Sequence, residues 1–284
     1  MKVLVDNYSS IYTTEPMYLS TTINSIDGCS STIFPTDYKI SVYDKFDLVK
    51  PDIYITHAMF LNNDVISYLV ENKNIQVVIN ISGINQAQVS QVEEMFLYHN
   101  LKSLLFFINY HNHGLVCKNF NIFALPHSAD LYLGVSKDIK YDIDSGIIVS
   151  EKSQISKRDG TYHYISLNNS MIKDVDIVMS TVQLSNIYQN YKNIIIKPFR
   201  KVVPQYFYDA IFYGQSVSYE NDGKEDPMID MIQGIFKDLD PKVLKETVRN
   251  KHTCLNRTKS LLSQLPCNEI VIKLGKMMEG IKWE

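Results

Sequence analysis

The 284-residue chain contains no run of about 18 uninterrupted apolar residues, so no segment reads as a membrane-spanning helix. Cysteine is scarce. Cys29, Cys117, Cys254 and Cys267 stand far apart, with no CxxC and no Cys/His spacing that would bind a metal, and they read as reduced thiols of a cytosolic protein. Glycine is thinly spread at 11 residues, with no GxGxxG after the first apolar run and no GxxxxGK[ST] anywhere. That excludes a dinucleotide dehydrogenase or a P-loop enzyme of the usual pattern. Excess positive charge is lacking too: 28 Lys+Arg against 31 Asp+Glu leave a net −3, which argues against broad, non-specific nucleic-acid binding. The opening Met1-Lys2-Val3-Leu4-Val5-Asp6-Asn7 turns acidic too early for a secretory leader, so a cytoplasmic location is expected.

What is present is an ordinary globular balance, 45% hydrophobic and 21% charged. At roughly 150 residues per domain the length suggests two domains. The first half alternates β-branched apolar runs with helical patterns. Strands are expected at Lys2–Asp6, Ser31–Phe34, Asp52–His57, Gln76–Gly83 and Ser103–Ile108, and helices from Glu15-Pro16, from Asn62 and over Gln86–His99. A further strand is expected near Asn121–His127. A second βα series follows, with strands near Ser145–Val149, Tyr162–Leu167, Val175–Met179, Asn193–Lys197 and Ser216–Tyr219. Helices are expected over Gln183–Tyr191, from Pro204 to Tyr213 and over Pro241–Leu265, with a tail through Trp283. Strands alternating with helices imply parallel sheets covered on both faces. The expected architecture is therefore α/β, two Rossmann-like domains facing a cleft, divided into 1–136 and 137–284, with a closing C-terminal helix.

Ligands of such sheets bind outside the carboxyl ends of the strands, where the chain order reverses. In the first half this rule puts Asp6-Asn7-Tyr8-Ser9-Ser10, Thr56-His57-Ala58 and Ser82-Gly83 on one rim. In the second half the informative stretch is Lys197-Pro198-Phe199-Arg200-Lys201-Val202-Val203-Pro204-Gln205, which passes from a strand through a basic loop into a helix. A helix start offers unpaired N–H groups that suit a phosphate, and an Arg fork can grip a diphosphate. Asp209, farther along that helix, has the chemistry to accept hydrogen bonds from sugar hydroxyls. From pattern alone a solvated basic loop ahead of a surface helix is the favoured reading.

Pro204, Asp209-Ala210, Tyr213-Gly214 and Val217 resemble the P-x-x-x-x-E-A-x-x-x-G-x-x-V helix of GT-B glycosyltransferases. Val248, His252-Thr253, Cys254 and Arg257 resemble the V-x-x-x-H-T-Y-x-x-R segment of the CgeB-like glycosyltransferase group. Pro126-His127-Ser128-Ala129-Asp130 is similar to the family's N-G-A/V-D junction. The resemblance covers roughly the last 90 residues, and the chain departs from it at Asp209, where the family usually carries Glu. It implies a nucleotide-sugar donor and no resident cofactor. Asp209 would then hold the ribose, Arg200 and Lys201 the diphosphate, with Lys197, Gln205 and His127 beside the donor. It also implies chemistry without a metal, and Asp238-Leu239-Asp240, although it has the letters of a DxD motif, reads as a helix cap before Pro241. His252-Thr253 is expected to be structural.

An inverting transferase needs a group to take the acceptor hydroxyl's proton. The rim candidates are His57, Asp6 and Glu15, each of which also has a structural reading: a strand-end His, a turn former and a helix N-terminal charge. The acceptor (glycan, protein or modified base) is left open by the sequence. Three rivals share the architecture: a non-catalytic nucleotide-sugar or glycan-binding protein, a transferase acting on a hydroxymethylated base in DNA, and a nucleotide-sugar isomerase.

Overall fold

A computed structural model of the chain describes residues 1–8, 15–34, 39–107, 114–132, 142–149, 155, 160–167, 175–179, 184–197, 205–214, 216–219 and 240–283. Of the sequence-derived site residues, Arg200 and Lys201 lie outside these, as do Asp238, Leu239 and the expected boundary at 136/137. The chain divides into two compact units. One holds the first strand, Glu15–Pro126 and Leu255–Glu284; the other holds His127–Cys254. The last 30 residues thus return to the first unit rather than completing the second.

The first unit is built on a six-stranded sheet in the order β2-β1-β3-β4-β5-β6. Its strands are β1 (Lys2–Val5), β2 (Ser30–Ile33), β3 (Ile53–His57), β4 (Gln76–Asn80), β5 (Ser103–Phe107) and β6 (Ile122–Ala124). Every neighbouring pair is parallel. The order reverses between β1 and β3, which makes their carboxyl ends the crevice of this sheet. β1 reads exposed then buried throughout, as a strand covered on both faces must.

Local chemistry sets the helix starts. Asn62 caps α3 (Asn63–Glu71) by accepting the Val65 N–H at 3.0 Å. Asn85 and Gln88 form a reciprocal capping box on α4 (Gln86–Tyr98), at 3.0 and 2.9 Å. Helix α1 (Glu15–Asn24) begins as the sequence predicts, at the Glu-Pro step. Helix α2 (Val42–Val49), which the sequence reading did not anticipate, is capped by Ser41 accepting the Asp44 N–H at 3.0 Å. It inserts Phe46 between Tyr54 and Tyr68, with ring centroids 4.8 and 4.6 Å away. Burying each such side chain contributes roughly 1.5–3 kcal/mol.

The second unit carries a five-stranded, wholly parallel sheet in the order β11-β10-β7-β8-β9. Its strands are β7 (Ser145–Val149), β8 (His163–Leu167), β9 (Ile177–Met179), β10 (Asn193–Ile196) and β11 (Val217–Tyr219). Here the order reverses between β7 and β10. Helices α5 (Leu184–Asn190), α6 (Gln205–Tyr213) and α7 (Pro241–Lys251) supply most of the helical side of its core, which includes Tyr188, Tyr206, Phe207, Ala210, Leu244 and Val248. Asp240 caps α7 as the sequence predicts, accepting the Lys242 N–H at 2.9 Å with Pro241 following.

One expectation is corrected. The helical stretch over Pro241–Leu265 is not continuous: α7 ends at Lys251, and α8 (Cys254–Leu262) starts after an interruption at His252-Thr253. The tail also holds a helix, α9 (Asn268–Glu279). It is fastened beside the chain's start, where Lys273 Nζ donates to the Asp27 carbonyl at 2.9 Å and Cys267 Sγ lies 3.8 Å from Met1 Sδ. Among the described residues, no helix is long and apolar enough to cross a membrane.

Candidate functional site

Two constellations lie at the carboxyl edges of the two sheets, one in each unit. In the second unit, α6 joins β10 to the parallel strand β11. It therefore begins at the carboxyl edge and runs back along the sheet. Lys197 directly follows β10 and is buried; Gln205 opens α6, buried at 3% exposure, and Asp209 sits farther along at 2%.

Asp209 Oδ1 accepts the main-chain N–H of Asp130 at 2.7 Å, and the Gln205 side chain also hydrogen-bonds its carboxylate. Burial pushes the Asp209 carboxyl well above the ordinary carboxylate range, and the nearby Asp130 pushes it the same way. Asp130 Oδ1 accepts the Tyr132 N–H at 2.9 Å, while its carbonyl accepts the Tyr213 hydroxyl at 2.7 Å. His127 is buried in the same segment.

The interruption between α7 and α8 completes this corner. Ala129 pairs with Thr253 in a parallel bridge: the Ala129 N–H donates to the His252 carbonyl and the Cys254 N–H to the Ala129 carbonyl, both at 2.8 Å. The His252 ring lies 5.7 Å from that of Tyr208. Arg257 Nε donates to the Pro126 carbonyl. Within the second unit, 127–130, 205–214 and 248–254, parts of three segments that the sequence singled out separately, are thus stitched together by hydrogen bonds and packing.

Gly214 has a steric reason to be glycine. Its N–H donates to the Ala210 carbonyl at 2.7 Å, and an added Cβ would lie 2.3 Å from that same oxygen.

In the first unit, Asp6 follows β1 and is half-buried. Its Oδ2 accepts the Thr56 hydroxyl at 2.6 Å and also the Tyr54 hydroxyl, both from β3. Burial, then the Asp6 charge, raise the Tyr54 phenol. Glu15, the first residue of α1, is 1% exposed and accepts the Tyr8 hydroxyl at Oε1, 2.7 Å away. Burial lifts the Glu15 carboxyl to about 8, so it holds its proton at neutral pH.

His57 ends β3. The Met59 N–H donates to its Nδ1 at 3.1 Å, so the proton sits on Nε2 and donates to the Ser82 carbonyl at 2.9 Å. Burial lowers the imidazole's pKa, and the ring is neutral with both nitrogens held by the main chain.

Sequence reasoning placed Asp6, Tyr8, Glu15, Thr56 and His57 on one rim, but it did not single out Tyr54 and assigned no hydrogen-bonding role to Tyr8, Thr56 or Tyr213. The alternation Tyr54/Thr56 along a strand next to β1 is the signal that could have tied those two to Asp6. Among the described residues no group of three or more His, Cys, Asp or Glu is arranged to hold a metal ion.

No protein-family model matches the chain, and no curated protein matches its sequence. Solved structures similar to it include the following two. An S. aureus MnaA–UDP co-structure has 8% identity and a TM-score of 0.44, covering 95% of this chain and 98% of that one. CalG4, the calicheamicin glycosyltransferase, has 7% identity and a TM-score of 0.35, covering 97% and 98%. At these values neither likeness transfers a ligand or a chemistry, since one architecture hosts many activities. The α/β assignment rests on the two parallel sheets.

Proposed function

We propose that the chain is a GT-B-type, CgeB-like glycosyltransferase whose second unit binds a nucleotide-sugar donor and whose first unit binds the acceptor. The observation that carries this reading is the reversal of strand order between β7 and β10. Lys197 stands at the end of β10, and the sequence between it and the start of α6 contains Arg200 and Lys201. A parallel sheet offers its ligand crevice at such a reversal, and the cations beside a helix start suit a diphosphate. The stitching of 127–130, 205–214 and 248–254 into one corner of the second unit supports the motif resemblance, because these parts of the segments that resemble the family occupy one place.

In this reading Lys197, Arg200 and Lys201 neutralise the leaving diphosphate, the work a metal ion does in other transferases. Asp209 holds the ribose through the part of its carboxylate not given to Asp130, with Gln205 and His127 flanking. Asp6 takes the acceptor hydroxyl's proton, Glu15 supplies a protonated carboxyl bonded to Tyr8, and His57 positions the rim. The acceptor oxygen bonds to the anomeric carbon as the bond to the diphosphate oxygen breaks. The net charge of −3 disfavours DNA as acceptor.

Isothermal titration with a panel of nucleoside diphosphates and the matching nucleosides tests the donor half. At least one diphosphate binds and its nucleoside does not, and Lys197→Ala weakens the diphosphate about tenfold, as expected for a charged hydrogen bond. Absence of binding by every nucleoside diphosphate would overturn the assignment.

A further inference from the structure

An aromatic row runs along the carboxyl edge of the first sheet where its strand order reverses. Tyr8 lies 5.9 Å and Phe60 6.5 Å from His57, centroid to centroid. Phe60 is 43% exposed, and Met59, in the same 3-10 turn Ala58–Phe60, is 78% exposed, although both are large apolar residues. This turn follows β3 directly, and Thr56, one residue before His57, is bonded to the Asp6 carboxylate. Rings, an apolar lip and a carboxylate therefore share one strand end.

His57 is fixed for stacking. Its two nitrogens bind the Met59 N–H and the Ser82 carbonyl, so its ring cannot swing, and little rotamer freedom is left to lose when a ligand packs on it. The same bonds occupy both ring nitrogens, so the imidazole itself offers a sugar ring no free polar edge. What remains suits a flat apolar ring with a hydroxyl at one side.

Resting on the reading that the first unit holds the acceptor, we infer that the Tyr8–His57–Phe60 row binds a hydroxylated aromatic ring. The acceptor class is thus a phenol or a related aryl alcohol. The ring packs on His57 and Phe60 with Met59 as a lip, and the hydroxyl turns toward Asp6. Phe60 is then a specificity-determining residue.

Ligand-observed saturation-transfer NMR on the full chain, with phenol and methyl β-glucoside as probes, tests this. Phenol shows saturable binding in the millimolar range while the glucoside does not. Phe60→Leu, which keeps apolar bulk at an exposed position but removes the ring, weakens phenol about fivefold. Equal or tighter binding of the glucoside, phenol binding unchanged in Phe60→Leu, or no phenol binding at about 10 mM each overturns the inference. A titration with the same panel of nucleoside diphosphates on the same preparation separates the two readings. Diphosphate binding without phenol binding removes only the aryl acceptor; phenol binding without any diphosphate binding removes the donor assignment instead.

Discussion

On the proposed donor assignment, Asp209→Asn lowers the affinity for a nucleoside diphosphate by about tenfold, or ~1.4 kcal/mol, and leaves the thermal midpoint at neutral pH unchanged or higher. The two halves of this expectation have separate causes. The amide oxygen of Asn still accepts the Asp130 N–H that Asp209 Oδ1 holds at 2.7 Å, so the link between α6 and the 127–130 segment survives. The variant also removes a carboxyl that burial holds well above its ordinary range, and with it the cost of carrying that group into the core. Affinity falls because an amide nitrogen replaces the acceptor oxygen that would face a ribose hydroxyl.

Asp209→Ala differs in stability. It strands the Asp130 N–H in a buried site and costs on the order of 1–3 kcal/mol of folding free energy. Calorimetry and thermal melts of both variants separate strut from ligand. If Asp209→Asn binds nucleotide like the wild type, the carboxylate is only a strut.

The second large effect belongs to the first unit. The Glu15 carboxyl titrates near 8 in the folded chain against 4.5 when unperturbed. Below 4.5 both folded and unfolded chains carry this proton and nothing is lost. Between 4.5 and 8 the unfolded chain has released a proton that the folded one keeps. Stability therefore falls as pH rises through this window, by as much as a few kcal/mol from this group.

Glu15→Gln keeps an acceptor for the Tyr8 hydroxyl and removes the ionisation. Its denaturant midpoint loses that decline, so the variant gains on the wild type steadily from pH 5 toward about pH 8. Parallel pH profiles for the two proteins would show that Glu15 does not hold its proton in the folded state.

Much of the fold was legible because its signals are local. Alternating apolar runs and helix starts such as Asn62, Asn85 and Asp240 mark most elements of both sheets. Helix α2 went unseen although Ser41 and Asp44 carry the spacing of an N-cap. The interruption at His252-Thr253 was beyond local reading, since an amphipathic pattern continues through it. Tertiary pairing of Thr253 with Ala129, far back in the chain, breaks the helix there. The return of α9 to the first unit is likewise a long-range outcome, settled by contacts with Asp27 and Met1.

The candidate site divides the same way. Lys197 and Asp209 could be picked out from strand-loop-helix logic and a motif. That the Asp209 carboxylate meets Asp130, 79 residues away, could not. Asp6 and Glu15 were found as rim residues, while their pairing with Tyr54, Thr56 and Tyr8 emerged only from the packing of β1, β3 and α1. His57 has the composition of a base, yet main-chain bonds at both nitrogens make it a fixed wall.

The central claim is that the second unit cradles a nucleoside diphosphate at the β7/β10 reversal. A co-crystal structure with whichever nucleoside diphosphate calorimetry selects tests it most directly. Density for the diphosphate beside Lys197 and the start of α6, with the ribose against Asp209, is the expected result. A nucleotide bound anywhere else on the chain would contradict it.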